Sequence, residues 1–269
     1  MSRIQKTVLC TFFGLVFMII VLIQSLDYWA LKIVFQPNFQ YKNELNIPVY
    51  YSERIDTFLK IENDSLHIIT YLVPKPRGVI LYSHGNRSDL KRWGPIASEF
   101  TKFGYNVVCW DFRSYGKSSG IPTEKNILSD GQHVFKYVNH RYGNLPKIIF
   151  GRSLGSGIAS FLSQNQEITK VILETPFYSL RDVIKYQVPL LHNFISIDIP
   201  SYQFLQSFTK PILILQGDED KVVPIVSAKN LYTSIQGKNK KMIVLEKGNH
   251  NNLRTYRLYW ETLEYFLNE

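Results

Sequence analysis

Apolar residues along this chain fall into short runs that alternate with longer segments of helical spacing. Runs of four to six residues, typical of strands buried on both faces, lie at 78–82, 105–110, 147–150, 170–173, 212–215 and 242–245. Apolar positions spaced three or four residues apart predict helices at 93–103, 124–142, 226–236 and 252–267. This alternation predicts an α/β protein with a mostly parallel central sheet and helices on both faces.

The residues before the first buried run show a different pattern. Segments 54–61 and 66–73 alternate or run apolar, and the polar residues 63–65 separate them. This arrangement predicts two antiparallel strands joined by a turn. Because no linker-like segment interrupts residues 47–269, we expect a single domain over that range.

The amino-terminal segment contains twenty consecutive uncharged residues, at 7–26. A helix of this length spans roughly 30 Å, the thickness of the hydrocarbon core of a bilayer. We therefore expect a retained transmembrane anchor at 7–26, preceded by a short basic terminus at 1–6 and followed by a linker at 27–46. A cleaved signal peptide is the main alternative, which the lack of a small-residue cleavage site after the run disfavours.

The charges that flank this segment bear on its orientation. Arg3 and Lys6 favour a cytoplasmic amino terminus, which would place the domain on the opposite side of a single-pass membrane protein. Lys32 and Lys42 on the other flank weaken this bias.

The overall charge excludes little by itself. The chain of 269 residues has a formal net charge of +9, of which residues 1–26 carry only Arg3 and Lys6, so +7 belongs to the remainder. Its densest basic cluster, at 238–241, is typical of a solvated turn, so we expect no nucleic-acid partner. Two cysteines form neither a disulfide framework nor a zinc site, and we expect no metal.

One turn carries a candidate nucleophile. Residues 151–155 read Gly-Arg-Ser-Leu-Gly, follow a predicted buried strand and precede a helix, the setting of a nucleophile elbow. The elbow holds Ser153 in a strained conformation, and Gly151 and Gly155 lack the side chains that would collide there. The alternative, a phosphate-binding helix entry, lacks its usual glycine and lysine pattern.

A serine hydroxyl needs a base to take its proton, and the base needs an acid to orient it. His250 follows the last predicted strand and is placed to act as that base. The loop after the strand at 212–215 offers Asp218, Glu219 and Asp220 as acids. The order Ser, Asp, His along the chain is that of α/β-hydrolases.

Stabilisation of an oxyanion requires two backbone N–H groups close to the nucleophile. Residues 83–86, Ser-His-Gly-Asn, end a predicted strand at the same edge of the sheet. We assign the oxyanion hole to the N–H groups of Asn86 and Leu154.

Six segments together resemble the α/β-hydrolase superfamily over roughly residues 47–269. They are 83–86, 111–120, 151–156, 174–177, 217–224 and 248–251. The likeness is greatest to small-lidded serine hydrolases that include membrane-anchored lysophospholipases, protein depalmitoylases and related bacterial esterases. It implies the α/β-hydrolase fold and hydrolysis of esters or thioesters without metal or cofactor.

The resemblance also bears on single residues. It assigns the triad acid to Asp220, four residues before Pro224, with Asp218 and Glu174 as alternatives. Many relatives have a second glycine where this chain has Ser114, so the chain departs from the family pattern in that loop.

Between two predicted strands, residues 176–210 are long enough for a small lid and rich in apolar side chains. Such a lining suits an acyl chain, so we favour an acyl-lipid or acylated-protein substrate over a small soluble ester. Two alternatives stay open: a serine peptidase or aminopeptidase of the same superfamily, and a catalytically silent, membrane-tethered binding module.

Overall fold

The computed structural model describes residues 5, 9–18, 21, 31–32, 34–37, 47–190 and 192–269. Within this part of the chain, eight strands form one sheet in the order β1-β2-β4-β3-β5-β6-β7-β8. The strands are β1 Glu53–Ile61, β2 Asp64–Leu72, β3 Val79–Ser83, β4 Asn106–Trp110, β5 Lys147–Arg152, β6 Ile168–Glu174, β7 Ile212–Gly217 and β8 Lys240–Leu245. β2 is antiparallel to β1 and to β4, and β3 to β8 are parallel. The predicted α/β fold with a mostly parallel sheet is confirmed.

Helices cover both faces of the sheet. From residue 47 onward they are α1 Leu90–Ser98, α2 Glu124–Arg141, α3 Leu154–Leu162, α4 Leu180–Gln187, α5 Ser201–Leu205, α6 Ile225–Ser234 and α7 Arg257–Asn268. Short 3-10 helices lie at Glu99–Phe103, His192–Phe194 and Leu253–Thr255.

The period of two along each strand divides the core between the two faces. Val79 and Leu81 of β3 pack into one cluster, with α2 to α6. Ile80 and Tyr82 of the same strand pack into the other cluster, with α1 and α7. Burial on both faces is why the central strands appear in the sequence as continuous apolar runs.

Two predicted helices differ from those observed. The helix predicted at 93–103 begins earlier, because the Asp89 side chain accepts a hydrogen bond from the backbone N–H of Lys91 and caps α1. Its last residues form a 3-10 helix that ends at Gly104, which has a φ of 81°. The helix predicted at 252–267 is interrupted at Tyr256, whose extended backbone separates a 3-10 turn from α7.

The predicted lid contains two short helices, α4 and α5, between β6 and β7. Ser179 caps α4 by accepting a hydrogen bond from the backbone N–H of Asp182. Leu180 and Ile184 of α4 are buried against the core. The segment predicted to form a lid is therefore packed against the core through α4.

The predicted membrane span is described only in part. Residues 9–18 and 21 are helical, while 7–8, 19–20 and 22–26 lie outside the described residues, as does most of the predicted linker. Among the residues that the structure describes, no helix has the length and apolar character needed to cross a bilayer. Residues 34–36 of the linker are described, and Val34 and Phe35 are buried in the domain.

Candidate active site

Ser153 lies in the sharp turn between β5 and α3. Its φ of 51° and ψ of −116° are strained for a residue with a side chain. A Cβ on Gly151 would lie 2.7 Å from the Ser156 Cα, and a Cβ on Gly155 would lie 2.6 Å from the His84 carbonyl oxygen. The absence of side chains at both glycines thus permits the close backbone approach that presents the serine at the end of the sheet.

Ser153, His250 and Asp220 form a chain of hydrogen bonds. The Nε2 atom of His250 lies 3.0 Å from the Ser153 Oγ. The Nδ1 atom of the same ring lies 2.8 Å from the Asp220 Oδ2. The three residues follow β5, β8 and β7, whose carboxyl ends meet at one edge of the sheet. A neutral imidazole with its proton on Nδ1 would donate to Asp220 and leave Nε2 to accept the serine proton.

Both partners of His250 are largely withdrawn from solvent. Ser153 is 7% exposed and Asp220 is 5% exposed. Burial lowers the pKa of His250 below its ordinary value, while the hydrogen bond to Asp220 raises it and the positive charge of Arg152 lowers it. The net lowering keeps the imidazole neutral, which is the form that a general base requires.

The two other candidate acids have different partners. Asp218 is exposed, and its backbone N–H donates to the carbonyl oxygen of Leu245. Glu174 is buried, with Oε1 2.9 Å from the Arg152 Nε and Oε2 2.8 Å from the Tyr259 hydroxyl. Of the three carboxylates, Asp220 is the one that is hydrogen-bonded to His250.

The residues predicted for the oxyanion hole lie beside the serine. Leu154 is the first residue of α3, and Asn86 follows the end of β3. Both residues line the same cavity as Ser153 and His250. The backbone N–H groups at a helix start and at the end of a neighbouring strand suit a developing negative charge.

The side chain of Asn86 has a role that the sequence did not indicate. Its Nδ2 atom donates to the Val34 carbonyl oxygen at 2.5 Å, and its Oδ1 atom accepts from the Gln36 backbone N–H at 3.0 Å. The Tyr115 hydroxyl also contacts the Gln36 N–H, at 3.1 Å. These bonds attach the 34–36 segment to Asn86, about fifty residues away in sequence, and so hold it at the cavity that Ser153 lines.

The cavity at the serine has a volume of about 380 Å³. Most of its wall is apolar and comes from the predicted lid, the loop after β7 and the 34–36 segment: Val34, Phe177, Leu180, Val183, Ile184, Val188, Val222 and Val223. Its charged lining side chains are Arg87 and Arg152, and none of its described lining residues is acidic. Among the described residues, no three His, Cys, Asp or Glu side chains are grouped so that they could hold a metal ion.

The eight-stranded sheet, the elbow serine and the histidine bonded to it define a serine hydrolase of α/β-hydrolase fold. Comparison with known proteins agrees. A family model described as "Serine aminopeptidase, S33" matches residues 74–207. Human alpha/beta hydrolase domain-containing protein 17B is 31% identical over 202 residues, which are 73% of this chain and 68% of that protein. Protein 17C from Xenopus tropicalis is 30% identical over 72% of this chain, and the match spans 63% of its own length.

Solved structures share the fold at lower identity. The esterase Pf2001 of Pyrococcus furiosus superposes with a TM-score of 0.69 and 21% identity, over 86% of this chain and 98% of that one. A soluble variant of the monoglyceride lipase of Saccharomyces cerevisiae gives a TM-score of 0.66 at 16% identity, over 86% and 98% of the two chains. The identity to the human relative and the length that it covers show that the chain belongs to the family of alpha/beta hydrolase domain-containing protein 17, within the α/β-hydrolase superfamily.

Proposed function

We propose that this protein cleaves carboxylic esters or thioesters of acyl lipids or acylated proteins, through an acyl-enzyme formed on Ser153. The hydrogen-bonded chain from Ser153 through His250 to Asp220, at the edge of an apolar cavity, carries this proposal. In this scheme Ser153 is the nucleophile, His250 the general base and acid, and Asp220 the group that orients His250.

The first half-reaction forms the acyl-enzyme. The Ser153 Oγ attacks the carbonyl carbon of the substrate while its proton passes to the His250 Nε2, 3.0 Å away. The bond between the carbonyl carbon and the leaving oxygen or sulfur then breaks. The proton on Nε2 passes to that atom, so that the alcohol or thiol leaves neutral.

The second half-reaction releases the acid. Water attacks the acyl carbonyl and gives its proton to the same Nε2 atom, and the bond to the Ser153 Oγ then breaks as the proton returns to the serine. The backbone N–H groups of Leu154 and Asn86 would hold the carbonyl oxygen in both tetrahedral intermediates. Losing one such donor typically reduces the rate about 10²–10³-fold.

The cavity lining favours an acyl group over a charged one. Apolar side chains of the predicted lid and of Val34 line the cavity and would contact the acyl chain. An apolar wall with a few polar groups close to the reacting atom is typical of sites that bind extended apolar ligands.

The family description raises a second candidate, an aminopeptidase. An aminopeptidase binds the free ammonium group of its substrate, for which a carboxylate in the pocket is the natural partner. The described lining contains Arg87 and Arg152 and no carboxylate. These charges disfavour an ammonium group, so the ester or thioester assignment is the better supported.

Active-site labelling tests the nucleophile directly. A fluorophosphonate probe should label the wild-type chain and leave the Ser153→Ala variant unlabelled. Ser156→Ala is the matched control: the Ser156 hydroxyl is buried one turn away and donates to the Ser153 carbonyl oxygen, so labelling should persist. Labelling that survives Ser153→Ala contradicts the nucleophile, and an unlabelled wild type favours the silent binding module.

Substrate class is tested by comparing substrates on the wild-type and Ser153→Ala chains. The set is p-nitrophenyl esters of increasing chain length, a lysophospholipid, a palmitoyl thioester and an aminoacyl p-nitroanilide. We expect Ser153-dependent kcat/KM to rise with acyl length. A preference for acetyl esters would overturn the lipid assignment, and anilide cleavage would favour the peptidase.

We also propose that residues 7–26 anchor the protein in a membrane, with the amino terminus cytoplasmic and the domain at 47–269 on the opposite side. Besides the lack of charge, the helical residues 9–18 support it, because Phe12, Phe13 and Phe17 are each about 60–70% exposed. Apolar side chains on one helix are rarely left so exposed unless lipid or a partner covers them. Retention in the membrane after alkaline extraction, and loss of that retention on deleting 7–26, would support the anchor; release of the intact chain would contradict it.

A further inference from the structure

A buried ion pair lies directly behind the candidate catalytic residues. Arg152 precedes Ser153 on β5, Glu174 ends β6, and both are at most 5% exposed. The Arg152 Nε lies 2.9 Å from the Glu174 Oε1, and the Tyr259 hydroxyl donates to the Glu174 Oε2 at 2.8 Å. The guanidinium also lies over the Trp93 ring, 4.7 Å from its centroid. The pair is therefore fixed on several sides.

A second nitrogen of Arg152 reaches the loop that carries the proposed general base. Its Nη2 atom donates to the main-chain carbonyl oxygen of His250 at 2.6 Å and to the Asn251 Oδ1 at 3.0 Å. The carbonyl belongs to the residue whose ring must meet Ser153, so a shift of this oxygen displaces the imidazole. A rigid guanidinium can bond Glu174 and this loop at the same time.

Residue 174 also contacts the proposed nucleophile through its main chain. The backbone N–H of Ser153 donates to the Glu174 carbonyl oxygen at 2.9 Å, so residue 174 holds Ser153 through its main chain and Arg152 through its side chain. We propose that Arg152 and Glu174 are positioning residues, which hold the His250 loop in register with Ser153 and set the charge around the imidazole. This inference rests on the proposed Ser153 mechanism.

The charges that face His250 predict an effect of the pair on the pH dependence of activity, which a purely stabilising role would not produce. They come from Asp220 after β7, Arg152 on β5 and Glu174 on β6. Besides the effect of burial, the positive charge of Arg152 lowers the pKa of His250, and the negative charges of Asp220 and Glu174 raise it. Removing Arg152 should therefore move the acid limb of the kcat/KM profile to higher pH, and neutralising Glu174 should move it to lower pH.

The test uses the full chain with Arg152→Gln, Arg152→Lys and Glu174→Gln, each assayed from pH 5 to 9 on one p-nitrophenyl ester. Arg152→Gln should lower kcat about 10²-fold, the scale of a misplacement near 1 Å, with KM little changed and the limb moved upward. Arg152→Lys should return the acid limb to its wild-type pH, because it restores the positive charge. It should restore only part of kcat, because an ammonium group cannot reproduce the planar set of hydrogen bonds that the guanidinium makes. Glu174→Gln should lower kcat and move the limb downward.

Arg113→Gln is the matched control, because Arg113 is paired with buried Asp130 at 2.8 and 2.9 Å in another part of the fold. It should lower the melting temperature while leaving kcat and the acid limb of the folded protein unchanged. If Arg152→Gln fails to fold, the same measurements of kcat and of the acid limb are made on Glu174→Gln and Tyr259→Phe instead.

Two outcomes separate this inference from the proposed function. Folded Arg152→Gln and Glu174→Gln variants with wild-type kcat and an unmoved limb would overturn the positioning role, even if Ser153→Ala is inactive. Full activity of Ser153→Ala would instead overturn the mechanism on which the inference rests.

Discussion

Asp220 and His250 are joined by a hydrogen bond of 2.8 Å between two loops that are 30 residues apart in the chain. The carboxylate is fixed from behind, because its Oδ1 atom accepts from the backbone N–H groups of Val222 and Val223 at 2.8 and 2.9 Å. The Gln216 Nε2 lies 3.2 Å from the other oxygen. Asp220 is therefore oriented toward His250 by its own loop before any substrate binds.

Asp220→Asn should remove most of the activity without unfolding the protein. The amide oxygen can still accept from Val222 and Val223, which turns the amide NH₂ toward the His250 Nδ1 and favours the wrong tautomer of the ring. We expect kcat to fall roughly 10⁴-fold. Asp218→Asn is the control and should stay close to wild type, since Asp218 is exposed and two residues away. The reverse ranking of the two variants in a steady-state assay would transfer the role to Asp218.

The acid limb of the pH profile should lie below pH 6.5. Burial is the largest influence on His250 and lowers its pKa from the ordinary value of 6.5, which Asp220 only partly offsets. Because the free enzyme needs a neutral base, kcat/KM should be flat from pH 7 to 8 and decline only as the pH falls through this lowered pKa. A limb at or above 6.5 would contradict the burial argument.

The same shift affects folding stability, so the profile needs a control. A histidine whose pKa is lowered in the folded state binds protons more tightly when unfolded. Its contribution to stability is therefore present above pH 6.5 and is lost as the pH falls toward the folded pKa. Unfolding should be measured at each pH, and only points at which the protein is folded should be used.

Gly155→Ala should damage the fold at the elbow itself. A Cβ there would meet the Ser83 and His84 carbonyl groups, and neither backbone segment can move without disturbing β3. Overpacking of this kind costs about 1–3 kcal/mol or more. Gly143→Ala is the control, because its nearest neighbour would be the Asn139 carbonyl oxygen at 3.4 Å. A Gly155→Ala protein that melts with the wild type would show that the elbow has more room than its geometry indicates.

The sequence pattern predicts the sheet well because the central strands are buried on both faces. The run at 147–150 corresponds to β5, Lys147–Arg152, and the turn that follows is the elbow expected from its glycines. Ser114, which stands where many relatives have a glycine, has a φ of 67°. This value lies in the left-handed region, which glycine adopts without strain and serine does not. Turns of this kind depend on residues that are neighbours in sequence, so they can be predicted from the sequence.

The contacts that hold the site residues in place could not be predicted from the sequence. Arg152 is a variable position inside the elbow motif, and its partners Glu174, His250 and Asn251 lie 22 to 99 residues away. The 34–36 segment is bonded to Asn86 across about fifty residues. Both arrangements depend on tertiary packing, and neither leaves a periodicity or spacing from which it could be predicted.

The position of Val34 in the cavity wall leads to a prediction about substrate length. Val34 is 9% exposed and lines the same cavity as Ser153 and several apolar side chains of the predicted lid. A larger side chain at this position should occupy space that a long acyl chain needs and leave the region next to the serine open. A smaller one should enlarge the same space.

We therefore expect Val34→Trp to lower kcat/KM for long-chain p-nitrophenyl esters by roughly 10-fold or more, the scale of one or two lost methylene contacts, while acetyl ester hydrolysis is nearly unchanged. Val34→Ala should shift the preference toward longer chains. Val226→Trp is the control, because Val226 is 56% exposed and does not line the cavity, so its chain-length profile should match the wild type. Because Val34 also packs in the core, melting temperatures should be compared first. An equal loss on acetyl and long-chain esters would show that the segment supports the catalytic residues and does not bound the acyl site.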